Sequence, residues 1–158
     1  MEKYDCQRPW FLAYRDVVRA TDERSVIALA LPREPALRKL PILGFGQAVP
    51  GELLLANFNS LPFDYVARQK IGGISLSFFI LKQLPVIPIH RYAGNDISFI
   101  NRRLLELSYT DTSMAPFARE LGYDGPPFLW DENRRAQLRA ELDAWYARAY
   151  GLTRDELR

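Results

Sequence analysis

The chain is poor in the residues that build covalent and metal cross-links: it holds one cysteine, Cys6, and one histidine, His90, in 158 residues. A lone cysteine cannot close an internal disulfide, and one cysteine with one histidine falls short of a Cys/His zinc set. Long apolar runs are also missing. The best candidate, Ile71 to Leu84, is broken by Gly73, Ser75, Ser77 and Lys82, so it does not read as a bilayer span. The first residues lack the apolar core of a secretory signal. Together these absences predict a cytoplasmic protein in a reducing compartment, with no membrane partner and no bound metal. Internal repeats and low-complexity tracts are absent as well.

What is present is a core. Hydrophobic residues make up 48% of the chain, with three Trp, eight Tyr and nine Phe, which excludes general disorder and predicts a packed body. The length suits one domain with a helical appendage but not two large domains. A formal net charge of +2 is only a weak pointer to an acidic partner, so the placement of the charges has to decide. Arg greatly outnumbers Lys; this suits forked recognition of phosphate or guanine, and equally follows from a GC-rich genome.

Trp10 to Val18 and Ser25 to Leu31 are two apolar runs around the polar stretch Arg19 to Arg24, which predicts a hairpin. Pro32 to Gly51 is rich in proline and glycine and reads as an irregular excursion. Leu53, Leu54, Ala56, Asn57 and Phe58 suit a short helix; Ser60 can cap a second one, with Pro62 in its first turn, ending at Gly72-Gly73. Ile74 to Leu76 reads as a short strand, Ser77 as the cap of a helical turn through Gln83, and Leu84 to Ile89 as a strand kept at a sheet edge by Pro85 and Pro88. Beyond Tyr92 the pattern turns helical. Ile97, Ile100, Leu104, Leu105 and Leu107 share one face, a shorter helix around Ala115 to Leu121 stops at Gly122, and Asp131 caps a longer one through Ala149 with Leu138, Leu142, Trp145 and Tyr146 on its apolar face. Thr153 to Glu156 form a T-x-x-E capping box that opens a helix two residues before the last one, which predicts a fragment or the product of a split gene. The expected fold is α+β: a mixed-sheet domain over residues 1–92, then a helical segment over 93–158, truncated at its C-terminus.

Catalytic patterns are weak. Ile42-Leu43-Gly44-Phe45-Gly46 matches the Gly loop that cradles S-adenosylmethionine, but lacks the flanking strand, helix and Asn-Pro-Pro-aromatic motif. Asp64 with Gln69-Lys70 faintly suggests a magnesium-dependent nuclease, yet these residues read as helix and turn, without a second well-placed acid. A Ser-His-Asp set would have to use His90 beside two prolines. The chain alone is therefore not expected to be an enzyme, and no catalytic, cofactor or metal residue is assigned.

The basic turns carry more. Arg68, Gln69 and Lys70 precede a flexible Gly pair, and Ser75 and Ser77 follow with short polar side chains; Arg and Lys can hold phosphates, Gln can read adenine and Ser can do either. The same basic groups would also answer a helix C-terminal dipole. Arg15, Arg19 and Arg24, mixed with Asp16, Asp22 and Glu23, suit base-edge reading at a hairpin tip and equally suit a solvent-facing turn with local ion pairs.

Three segments together resemble the C-terminal part of the large adenine-N6 DNA methyltransferases of type IIG restriction-modification and related phage-defence systems. They are FLAYRDVVRATDERSVIALALP from Phe11, LLLANFNSLPFDYVARQKIGGISLSFFILKQLPVIP from Leu53, and the tail LELSYTDTSMAPFARELGYDGPPFLWDENRRAQLRAELDAWYARAYGLTRDEL from Leu105. The middle piece is similar, more loosely, to the recognition domains of type I specificity subunits, through Asn59-Ser60, Gly72-Gly73 and Leu84-Pro85. The resemblance implies a target-recognition domain on duplex DNA, helices that fix it against a methyltransferase catalytic domain in cis or in trans, and S-adenosylmethionine bound by that parent enzyme rather than by this chain. Arg15, Arg19, Arg24, Arg68 and Lys70 would then attract phosphates, with Gln69, Ser75 and Ser77 reading bases. About five phosphate contacts imply a logarithmic salt slope of roughly −4 to −5. The alternative is an interaction domain that links a methyltransferase to other defence-system subunits through the helix near Leu138 to Tyr146, without reading DNA.

Overall fold

The computed structural model describes residues 8–19, 21–33, 40–46 and 49–157. Cys6 lies outside them. β1 (Trp10–Tyr14) pairs antiparallel with β2 (Ala28–Pro32), with Leu12 opposite Ala30, and this is the expected hairpin. The Pro/Gly-rich excursion returns one two-residue strand, β3 (Ile42–Leu43), to the other edge of β1, giving the antiparallel order β2-β1-β3. β1 is central and buried, as its run of large apolar residues requires.

Among the described residues six α-helices accompany this small sheet: α1 (Gly51–Phe58), α2 (Leu61–Lys70), α3 (Phe78–Leu81), α4 (Gly94–Ser108), α5 (Ala115–Glu120) and α6 (Glu132–Ala149). The fold is α+β. Local chemistry sets most of the helix ends. Ser77 accepts from the Ile80 amide and Asp131 from the Arg134 amide, each satisfying a donor that the first turn leaves open. Gly122 follows α5 at φ 80°, a conformation that costs glycine little. Ser60 stands before α2 as expected but does not cap it with its side chain; its hydroxyl donates to the Asn57 carbonyl at 2.7 Å. The open amide of Leu61 instead donates to Asp143 of α6 at 2.6 Å.

Among the described residues a hydrophobic cluster joins Trp10, Leu12 and Tyr14 of the sheet to Leu53, Leu55 and Phe63 and on to Ile100, Leu104, Phe117, Leu142 and Tyr146. The residues after Tyr92 thus share their core with the residues before it. Trp10 meets Phe117 edge-to-face at 4.9 Å, and Tyr92 stacks on Trp145 at 5.2 Å. Among the described residues no helix is long and apolar enough to cross a membrane.

Two predicted strands are not strands. Ile74 to Leu76 forms a single antiparallel bridge, Ser75 to Val17, closed by Val18 donating to Ile74 at 3.0 Å and Leu76 to Asp16 at 2.8 Å. Leu84 to Pro88 joins no ladder among the described residues. Its two prolines have no amide, and side chains take the place of a neighbouring strand: Asn57 accepts from the Ile87 amide at 2.8 Å, and Tyr150 donates to the Pro85 carbonyl at 2.7 Å.

Candidate functional site

The asparagine-serine helix and the Arg-Gln-Lys turn are tied to the rest of the fold by an ordered set of polar bonds. Asn57 bridges Ile87 and Tyr150, its amide donating to the Tyr150 hydroxyl at 2.7 Å. Asn59 docks on β2, accepting from Ala28 at 3.0 Å and donating back to the Ala28 carbonyl at 2.9 Å. Asp64 is only 2% exposed; one of its oxygens accepts from the Ser25 and Val26 amides, both at 2.7 Å, and the other from Arg68 Nε at 2.8 Å. Both oxygens are occupied by protein donors, so Asp64 is a structural brace of the hairpin root, not an open metal ligand. Of the residues that carry the resemblance, Asn59 and Ser60 are bonded within the scaffold, whereas Gly72 and Gly73 are exposed.

Three of the five predicted phosphate binders are braces too. Arg68 also donates through Nη2 to the carbonyls of Asp22 and Glu23 at 2.7 and 2.8 Å, fastening the hairpin tip to α2. Arg15 pairs with the Asp22 carboxylate and reaches the Arg24 carbonyl at 3.2 Å. Arg24 pairs with Asp143 of α6 at 2.6 Å. The mixed charges at the tip are therefore local ion pairs with one long tie to α6. Of the predicted base readers, Ser75 donates its hydroxyl to Asp16 and Ser77 caps α3, so both hydroxyls have work inside the fold.

Arg19, Gln69 and Lys70 remain on the surface, and no ion pair among the described residues involves Arg19 or Lys70. The Ser75 bridge holds Asp16 to Val18, just before Arg19, against Ile74 to Leu76, just after the Gly72-Gly73 pair. Sequence reasoning missed the neighbours. Ile74 is 75% exposed, Phe78 55% and Phe79 72%, and Lys82 Nζ sits 5.0 Å from the Phe78 ring centre. A simple signal points to them: between Asp64 and Asp96 the sequence holds no Asp or Glu. Arg68, Lys70, Lys82 and Arg91, against no acid, set that segment at +4 within a chain of net +2, so the remainder is net acidic. Among the described residues Asp16 is the carboxylate shown bonded to the loop, through Ser75.

A hollow of about 340 Å³ opens at the end of the same segment, lined by Arg91, Asp96, Trp145, Arg148 and Ala149. Asp96, in its wall, is held by the Ala93 amide and by Trp145 Nε1, both donating to it at 2.9 Å. The Ile42–Gly46 stretch does not fit a cofactor cradle: it begins as the edge strand β3, and Phe45 packs 6.3 Å from Trp10 beneath the Arg8 guanidinium. Comparison with protein-family models, with curated proteins and with solved structures found no match in any of the three.

The apolar face of α6 is not available as a docking surface, because Leu138, Leu142, Trp145 and Tyr146 are all buried in the core. Tyr146 donates to the Leu53 carbonyl at 3.1 Å, and burial pushes its phenol well above the ordinary value. Burial likewise raises the Tyr150 phenol to about 12, although its bond to Asn57 pulls the other way. These hydroxyls stay protonated and hold α6 to α1 and to the Pro85 segment.

Proposed function

We propose that the chain is a DNA target-recognition module of an adenine-N6 DNA methyltransferase or restriction-modification enzyme. It docks on duplex DNA and positions it for a catalytic domain supplied in cis or in trans, which would bind S-adenosylmethionine. The observation that carries this reading is the order of charge: one acid-free segment carries the exposed Lys70 and Lys82 with Gln69 beside an exposed Gly pair, while the nearby Arg15, Arg24 and Arg68 are paired with Asp22, Asp143 and Asp64. Arg19, Lys70 and Lys82 make the phosphate contacts, and Gln69 is the base reader.

Three phosphate contacts imply a logarithmic salt slope of roughly −3, shallower than the five-contact expectation. The experiment is selection of bound duplexes from a randomised pool, followed by binding to the selected duplex across a salt series. An enriched motif with a slope near −3 supports the module as drawn. No binding at low salt overturns it. A second reading, a protein-docking domain, is favoured by one feature elsewhere: Leu129 is 94% exposed and adjoins an exposed Trp130 whose ring is covered by Arg135 at 3.7 Å.

A further inference from the structure

We infer that Phe79 is an apolar wedge that enters the stack of bound duplex DNA and separates two base pairs. This rests on the DNA-docking reading above and adds a deformation step to it. Phe79 is the most exposed of the nine phenylalanines, although an exposed ring forgoes the burial that seats Phe58, Phe63 and Phe117 in the core. Its exposure is built into the mounting rather than left to a loose loop. Leu76, Leu81 and Leu84 are buried on the inner side of the same segment, so the alternation that sinks these leucines turns Phe78 and Phe79 outward.

The mounting is braced at both ends. The bridge to Asp16–Val18 holds the entry, Ser77 caps the turn, and Gln83 donates back to the Phe79 carbonyl at 3.1 Å. A backbone held this way keeps the position of Phe79 when it meets a partner, so only the side-chain rotamer is left to be ordered on insertion. Its surroundings select the partner. Lys82 lies over the neighbouring Phe78 ring, Lys70 is exposed at the preceding helix end, and no acid lies between Asp64 and Asp96. A flat apolar side chain in an acid-free stretch of chain, with Lys82 against the next ring and in no ion pair among the described residues, matches bases between phosphates better than it matches an apolar protein groove. Ring burial and stacking on the separated bases offset the cost of unstacking, and the opened step is where a nucleotide can leave the helix.

The test is permanganate oxidation of thymines across a mixed-sequence duplex bound by the full chain at low salt, since permanganate attacks unstacked thymines without requiring the target site to be known. The expected result is hyper-reactive thymines inside the bound region. Phe79→Ala should weaken binding about five- to a hundredfold and, at saturating protein, return those thymines to the reactivity of free duplex. Phe79→Trp should keep them reactive. An unchanged far-UV circular dichroism spectrum for both variants, expected for so exposed a residue, shows that folding is intact. Binding with no hyper-reactive thymines, or equal reactivity with Phe79→Ala, overturns the wedge and leaves the docking reading standing. No binding at low salt overturns both and reassigns the exposed Phe79 face to a protein partner.

Discussion

Replacing Asp64 by alanine should destabilise the fold far more than an ordinary helix substitution. The carboxylate accepts from two buried amides, Ser25 and Val26, and from the Arg68 guanidinium, and all three bonds span 2.7 to 2.8 Å. Alanine leaves two buried donors without acceptors and a half-buried cation without its counter-charge. Breaking a buried pair by removing one partner costs about 3–5 kcal/mol, and that range applies here because the amide bonds are lost in the same step. Asp64→Asn is the milder probe: its amide oxygen still serves Ser25 and Val26, but its NH2 turns toward the Arg68 donor, at a cost of about 1.5–3 kcal/mol. Arg68→Ala should cost less than Asp64→Ala, since the backbone amides keep their acceptor. Urea unfolding followed by Trp10 and Trp145 fluorescence reads these values as shifts in midpoint at constant slope. A loss below about 1 kcal/mol for Asp64→Ala would refute the assignment of this carboxylate as the brace of the hairpin root. With total stabilities of about 5–15 kcal/mol usual for domains, the Asn variant keeps the comparison measurable if the Ala variant fails to fold.

Tyr150→Phe removes the donor to Pro85 and the acceptor of Asn57, and should cost about 1–3 kcal/mol in the same urea assay because both partners are left short; a cost near zero would show that the Pro85 segment is held by packing alone. Glu52 gives a pH signature. Burial raises its carboxyl above the ordinary value, and the attraction of Arg8 offsets this only in part. A raised folded-state pKa contributes stability that is present below the ordinary carboxylate value and lost as pH rises through the folded one. The stability difference between Glu52→Gln and the parent should therefore move in the parent's favour as pH falls from neutral; movement the other way would mean that the Arg8 attraction outweighs desolvation.

The readings that held were those written in short stretches of chain. Asp131 before α6, Ser77 before α3 and Gly122 after α5 act on amides and carbonyls within a few residues, so the sequence contains both partners of each interaction. The strand expected over Leu84 to Ile89 failed for the opposite reason. Its apolar run and prolines describe an extended backbone, but whether that backbone meets a strand or the side chains of Asn57 and Tyr150 depends on residues far away in the chain. The candidate interface divides in the same manner. Arg15, Arg24 and Arg68 look as free in the sequence as Arg19 and Lys70, and only their carboxylate partners tell them apart.

By itself the sequence determined the α+β class, the hairpin, the run of capped helices and the acid-free stretch between Asp64 and Asp96. Each of these follows from periodicity, capping chemistry or charge order along the chain. The tertiary structure alone decided which cations are available and which rings face outward. Packing brings Asp143 to Arg24 across 119 residues and sinks Leu76 and Leu81 so that Phe79 is turned to solvent. A long-range ion pair or a buried neighbour is a property of the folded contact, with no local pattern from which to read it.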